Sequence, residues 1–382
     1  MLEKIDKSLH KVCAENATLD DGINVIIYAH NLDKLYDILS EKYDDIYAYN
    51  FISALGLKIK NSELIPLAKL NIVKYITSVS MVSNNIHIAK NIIHYDNITS
   101  ITNSNKKTVA IIDTGIFTHI DFVLGQNRIV KFVDLVADKS IPYDDNGHGT
   151  FVAGLLGAND IIYSGYYDGM IRDANLVIIK ALDSKGEGDS LKILEAMQYV
   201  LDNKDRYNIG VVCMSFGSNP LGKNDPLVLG SEVLWNNGIV VVAAAGNNGP
   251  EFDTIKAPGT ASKIITVGAL DDGRNDDFKT MKVAEFSSRG PAFNRYKPDI
   301  VVSGVDVLST ARFDFDNTFY TIMSGTSVSA PIVAGVALKL IRYNANYTPD
   351  IIKKKLLSSA TPITMDRNVE GFGVLDLDKI LL

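Results

Sequence analysis

The hydrophobic pattern of the chain changes character near residue 108. Beyond it, short and almost wholly apolar runs recur at Val109–Ile112, Asn175–Lys180, Val211–Met214 and Ile239–Ala244. Runs of this length, rich in Val and Ile and without alternation, predict strands of a parallel sheet buried on both faces. Stretches with helical spacing lie between them, such as Ser190–Val200. Alternating strand and helix argue for an α/β doubly wound domain with its active site at the carboxyl ends of the strands.

The first 90 or so residues read differently. Ile23–Tyr28 is strand-like, and 32–43 has helical spacing at Leu35, Ile38 and Leu39. Residues 47–59 again read as strands, Glu63–Leu70 as a short helix and Val73–Met81 as a strand. The order β-α-β-β-α-β predicts a small α+β, ferredoxin-like domain. Residues 84–107 are polar, Asn-rich and weakly periodic, which predicts a linker with one helical turn. The division expected is therefore 1–90, a linker over 91–107, and the main domain over 108–382. The chain ends soon after Gly371–Asp376, so no accessory domain is expected there.

Composition narrows the function more than the fold. With 382 residues, 46% of them hydrophobic, one or two sizeable cores are expected. The net charge of −7 and the absence of a Lys/Arg run argue against nucleic acid. No apolar run approaches the roughly 18 residues of a membrane span. The first eight residues mix charges of both signs and lack the apolar core of a signal peptide. Two cysteines, Cys13 and Cys213, give no disulfide framework, and Cys213 falls in a strand-like run that predicts a packed thiol. A cytoplasmic location is the expectation.

Three segments carry candidate chemistry. Ser327 stands between Gly325-Thr326 and an apolar run, Ile332–Leu338, that reads as a buried helix. A serine there would sit at a helix N-terminus, where unpaired N–H groups favour developing negative charge, with Pro331 in the first turn. Val109–Ile112 leads into Asp113-Thr114-Gly115, an aspartate at a strand end. His148 lies between two glycines in Asn146-Gly147-His148-Gly149-Thr150.

In chain order these are Asp113, His148 and Ser327, and the three local motifs resemble those of the subtilisin (subtilase) family of serine proteases. The resemblance covers roughly residues 108–382. It implies a subtilisin-like catalytic domain preceded by a propeptide-like domain, a zymogen whose N-terminal part helps folding and then inhibits the enzyme in the same chain; the alternative for that part is an unrelated N-terminal binding domain. It also implies a serine endopeptidase acting on proteins or peptides. A serine hydroxyl needs an adjacent base, and a histidine titrates near the working pH. His148 would be that base, and Asp113 would hold its tautomer and stabilise the imidazolium. His119 is expected to be structural. Val240–Gly249 reads as a buried strand ending in Gly246-Asn247, and the resemblance makes Asn247 an oxyanion donor beside the backbone N–H of Ser327.

The resemblance also implies groove edges at Gly186-Glu187-Gly188 and Ser215-Phe216-Gly217, where glycines let substrate backbone approach. Aligned on Pro258-Gly259, Lys256 takes the position that floors the pocket for the side chain before the cut bond. A lysine there would shorten the pocket and favour acidic side chains; the alternative is a loop that turns Lys256 to solvent. Glu285–Pro291 and Lys297–Ile300 resemble loop segments of intracellular bacterial members. The chain departs from the family at Phe151, Val328 and Ile332, none of them a triad position. It also lacks the long calcium loop after the histidine helix. Asp271-Asp272-Gly273 with Asp276-Asp277 offers carboxylates, but a solvated acidic turn is expected and no cofactor is required for the chemistry. A protease-like binding scaffold and an esterase are the competing readings. The first conflicts with the complete triad and the second with the absence of Gly-x-Ser-x-Gly around Ser327.

Overall fold

The computed structural model of the chain describes residues 4, 5, 9, 22–50, 53–78, 85–95, 106–161, 167–222, 224–275, 277–312 and 318–380. These fall into two compact units, Met1–Ser83 and Asn84–Leu382.

In the first unit the elements are β1 (Ile23–Ala29), α1 (Leu32–Ser40), β2 (Tyr47–Tyr49), β3 (Ala54–Ile59), α2 (Leu64–Ala68) and β4 (Val73–Ser78). The strands form an antiparallel sheet in the order β2-β3-β1-β4. Period-two burial makes the core: Val25, Ile27 and Ala29 are buried, while the residues between them are not. Helix α1 starts where Asn31 Oδ1 accepts from Lys34 N at 3.0 Å. It turns Leu35 and Leu39 inward and leaves Ile38 exposed. Leu55, Leu57, Ile59, Leu64, Leu67, Val73 and Ile76 complete this core. Residues 79–81 of the strand expected over Val73–Met81 lie outside the described residues.

The second unit opens with α3 (Asn85–Ile92), inside the stretch read as linker. Ala89, Ile92, Ile93 and Tyr95 belong to the main core, and Leu377 N donates to Ile93 O at 2.9 Å. Its apolar residues, spread among Asn, His and Lys, do not register as a helical period. There follow β5 (Thr108–Asp113), α4 (Ile120–Val123), β6 (Ile129–Asp134), α5 (His148–Gly157), β7 (Leu176–Lys180), α6 (Ser190–Asp202) and β8 (Ile209–Met214). Next come α7 (Pro226–Asn236), β9 (Val240–Ala244), β10 (Ile265–Asp271), β11 (Lys282–Val283), β12 (Ile300–Ser303), β13 (Val307–Thr310) and β14 (Tyr320–Met323). Helices α8 (Thr326–Tyr343), α9 (Pro349–Ser359) and α10 (Arg367–Glu370) finish the unit.

The central sheet runs β11-β10-β9-β8-β5-β7-β6, with β12 also paired to β10. All its pairings are parallel except β10 with β11. Every residue of β5, β7, β8 and β9 is buried, as a sheet covered on both faces requires. Helix α5 packs on α8, and α6 packs on α7. From β5 the chain goes out to β6 and back to β7, then crosses β5 to reach β8. Strand order thus reverses at β5, and the crevice beyond its carboxyl end is where such sheets bind ligands.

Helix α8 begins at Thr326 and so has Ser327 at its N-terminus, as expected, but Pro331 is its sixth residue and lies past the first turn. At the helix start Thr326 N finds a side-chain acceptor, Asn247 Oδ1, at 2.9 Å. Ser327 becomes the second residue of a helix that is apolar nearly all round.

Candidate active site

Asp113 closes β5 and is fully buried. Two glycines bring the histidine to it. A Cβ on Gly115 would stand 2.1 Å from Tyr143 O, and one on Gly149 would stand 2.2 Å from Gly115 O. Only glycine lets the first turn of α5 rest against the turn after β5. His148, the first residue of α5, then places Nδ1 at 2.7 Å from Asp113 Oδ1, which also accepts from Thr114 N at 2.7 Å. The carboxylate accepts, so Nδ1 carries the proton and Nε2 is left with its lone pair. Burial by itself would lower the His148 pKa. The charge and hydrogen bond of Asp113, with a contribution from Asp144, outweigh it and raise the pKa above its ordinary value.

The other half of the site is built on β9 and α8. After Ala244 the chain reaches Gly246, whose N donates to Thr326 Oγ1 at 3.1 Å. Asn247 Oδ1 accepts from Thr326 N at 2.9 Å and from Thr326 Oγ1 at 3.0 Å. These contacts fix which end of the amide is which. A Cβ on Gly325 would lie 3.1 Å from Ser327 Oγ and 3.2 Å from Asn247 Nδ2. The missing side chain leaves open the space between hydroxyl and amide. Ser327 N has no intrahelical acceptor at this position.

His148, Ser327 and Asn247 line one cleft of about 520 Å3, together with Gly186, Ser215, Phe216, Gly217 and Lys256. Asp113 stands behind His148. Gly188 is not among the lining residues; it faces Ala181 O, 2.5 Å from where a Cβ would be. Ser218 and Ala257 exchange backbone hydrogen bonds of 2.9 Å, joining the 215–218 segment to the one carrying Lys256. The Lys256 stem lies across two glycines: Cβ is 2.5 Å from a Cβ built on Gly217, and Cγ 2.5 Å from one built on Gly246. Its Nζ donates to Asn219 Oδ1 at 2.6 Å.

Other polar candidates have structural partners. The His119 ring is buried among Phe122, Phe319 and Tyr320; Nε2 donates to Phe319 O at 2.9 Å and Nδ1 accepts from Asp121 N at 3.1 Å. Burial lowers its pKa, so the ring is neutral. Cys213 is buried beside Ser215, and burial pushes its thiol up to about 12. Cys13 lies outside the described residues. Three residues that carried no role in the sequence hold the segments of Asp113 and His148 together: Thr114, Asp144 and Thr150. Their only signal was adjacency to the Asp113 and His148 motifs.

Among the described residues, one group of three side chains could hold a metal ion. It is His94, Asp376 and Asp378, with donor atoms within 4.8 Å of one another. Lys379 Nζ already sits 3.2 Å from Asp376 Oδ2. The acidic turn at Asp271 makes local backbone contacts instead: Asp271 Oδ1 accepts from Gly273 N and Asp272 Oδ1 from Arg274 N. Asp276 lies outside the described residues. No described helix is long and apolar enough to cross a membrane.

The chain is similar to known proteins. The family model Peptidase_S8, described as the subtilase family, matches residues 104–374. Serine protease AprX of Bacillus subtilis (strain 168) is 40% identical over 293 residues, covering 71% of this chain and 65% of AprX. The chain thus spans just under two thirds of that relative's length. Subtilisin DY of Bacillus licheniformis is 32% identical over 273 residues, covering 71% of this chain and 89% of its own. A solved structure, S41 Psychrophilic Protease, superposes with a TM-score of 0.64 at 29% identity, covering 76% of this chain and 97% of its own.

Proposed function

The chain belongs to the subtilase family, and from that membership we propose that it is a serine endopeptidase working through an acyl-enzyme. The observation that carries the reading is the 2.7 Å hydrogen bond from His148 Nδ1 to Asp113, in a cleft that also holds Ser327 and Asn247. In the proposed reaction Nε2 of His148 takes the Ser327 proton as Oγ attacks the substrate carbonyl carbon. The oxyanion forms beside Asn247 Nδ2 and Ser327 N–H. His148 then gives its proton to the departing amine and leaves an ester on Ser327. Water, deprotonated by the same imidazole, hydrolyses that ester.

The proposal extends to three finer points. The enzyme cuts its own chain ahead of the catalytic unit, and its N-terminal unit acts as an intramolecular inhibitor. Helix α3 narrows where: Ile92 and Ile93 are fully buried, so the cut falls outside it, in 79–84 or 96–105, both outside the described residues. Lys256 belongs to the pocket for the residue before the cut bond and favours acidic side chains. The protein works in the cytoplasm, where a reduced, buried Cys213 is at home.

One set of samples tests the core of the proposal. A fluorophosphonate probe labels the wild type on Ser327, and mass spectrometry finds it as two fragments. Ser327→Ala takes no label and stays a single chain. A folded wild type that takes no label would sink the protease reading, and fragmentation of purified Ser327→Ala would sink self-processing.

A further inference from the structure

Asp144 lies in the loop before α5 and is 3% exposed. It touches no atom of the His148 ring in any hydrogen bond, yet its carboxylate is the hub of the region. Oδ1 accepts from Thr114 Oγ1 at 2.9 Å, Asn146 N at 3.1 Å and Gly147 N at 2.8 Å. Oδ2 accepts from Thr150 N at 2.9 Å and Thr150 Oγ1 at 2.6 Å. The partners flank the triad on both sides. Thr114 follows Asp113, and Gly147 and Thr150 bracket His148. Backbone pairing of Gly115 with Asp144 closes the same link, and Thr114 Oγ1 accepts from Gly149 N at 2.8 Å.

We propose that Asp144 is a positioning residue for the catalytic pair: its carboxylate clamps the end of β5 to the first turn of α5 and so sets the hydrogen bond between Asp113 and His148. The inference rests on the protease reading and adds a residue to it.

The chemistry of the clamp is selective. All five partners donate: four are N–H or hydroxyl donors to the carboxylate by geometry, and Thr114 Oγ1, which accepts from Gly149 N, turns its own proton to Asp144 Oδ1, since a carboxylate oxygen can only accept. Only a group that accepts on both oxygens satisfies them. An amide would turn its NH2 toward either Gly147 N–H or Thr150 N–H, donor against donor. Asp144→Asn keeps the size and shape and breaks the clamp on one side.

The clamp carries a second consequence through charge. Asp113 faces His148 from β5, and Asp144 and Asp145 lie on the preceding loop. Lys180 Nζ, on β7, pairs with Asp145 at 2.6 Å and also donates to Thr114 O at 2.7 Å. The Arg312 stem packs over Gly147. Lys180 thus offsets Asp145, while among the described residues no cation is paired with Asp144. Asp144 adds to Asp113 in holding the imidazolium form of His148.

The test is steady-state hydrolysis of a chromogenic peptide from pH 5 to 10 by wild type and Asp144→Asn, with rates divided by the fraction of enzyme a fluorophosphonate titrates. The variant should lose about 100-fold in kcat, the scale of a misplacement near 1 Å, with KM within about twofold of wild type. Its acidic limb should move to lower pH, because one carboxylate favouring the imidazolium is gone. A merely structural role would lower the titratable fraction and leave the limb in place. An unshifted limb with a kcat near wild type overturns the proposal. Should Asp144→Asn not fold, Thr150→Val removes a single clamp contact, and an unchanged kcat in that variant overturns it equally. If the wild type itself neither hydrolyses nor titrates, the protease reading fails, and with it the premise.

Discussion

The two halves of the cleft are held in place by different means. Asp113 and His148 depend on a polar mesh, in which Thr114, Asp144 and Thr150 tie a strand end to a helix start through short hydrogen bonds. Ser327 and Asn247 depend on an apolar frame. Helix α8 is buried on nearly every face and β9 on both, and the polar contacts nearest the hydroxyl and the amide are those of Thr326 with Asn247 and Gly246. In the proposed reaction, the half that moves protons sits in a field of carboxylates that shifts a pKa. The half that meets developing charge presents a hydroxyl and an amide with few ionic neighbours, where a preorganised dipole is strongest. Substitutions should therefore act through pH in the first half and through turnover alone in the second.

The largest contrast comes from Asp113→Asn. Replacing a triad aspartate this way lowers kcat by about 10⁴-fold in serine proteases through the wrong histidine tautomer, and a loss on that scale is expected here. Asp113 Oδ2 is buried with no hydrogen-bond partner among the described residues. Its charge is compensated chiefly when His148 is protonated, and that raises the His148 pKa. The base must be neutral to act, so wild-type kcat/KM rises with pH through the raised value. Without the carboxylate, burial prevails and the limb moves to lower pH. A residual activity whose acidic limb stays where it was would place the base elsewhere.

Asn247→Ala probes the other half. Removal of this donor in subtilisin costs about 10²–10³ in kcat, and the same scale is expected, with KM little changed, because the amide acts on charge that appears only in the transition state. The acidic limb should not move, since His148 keeps both carboxylates. A limb that shifts with Asn247→Ala would show that the two halves are electrostatically coupled and break the comparison.

The same division explains what the sequence could and could not disclose. Asp113, His148, Ser327 and Asn247 each stand in a short contiguous motif, because each sits where a strand or helix begins or ends and glycines must flank it. The buried strands were readable because parallel pairing removes alternation. Asp144, Thr150 and Thr326 carry no such mark. A capping aspartate and a clamping one look alike until the partners are known, and Thr326 meets Asn247 across 79 residues of chain. Pro331 reads one turn too early, because proline favours a first turn, whereas it is the sixth residue of a helix whose first N–H finds its acceptor in Asn247. The edge strands β11 and β12, of two and four residues, are too short for any period to register.

The smallest effect expected, and the one that sharpens the picture of the substrate, is at Lys256. No Asp or Glu lines the cleft among the described residues, so nothing there neutralises this ammonium. Its partner, Asn219 Oδ1, uses one of its three donors. A substrate carboxylate can therefore be accepted without giving up Asn219. Lys256 is half-buried, so the attraction is stronger than in water and weaker than in a dry interior. Lys256→Gly should cut the kcat/KM ratio of Glu over Phe before the scissile bond by about tenfold. Two effects contribute: the cation goes, and the floor over Gly217 and Gly246 opens to an aromatic ring. The wild-type preference for Glu should weaken as salt is raised from 0.05 to 1 M, and that of Lys256→Gly should not. Equal ratios in the two proteins at low salt would mean that the substrate side chain does not reach Lys256.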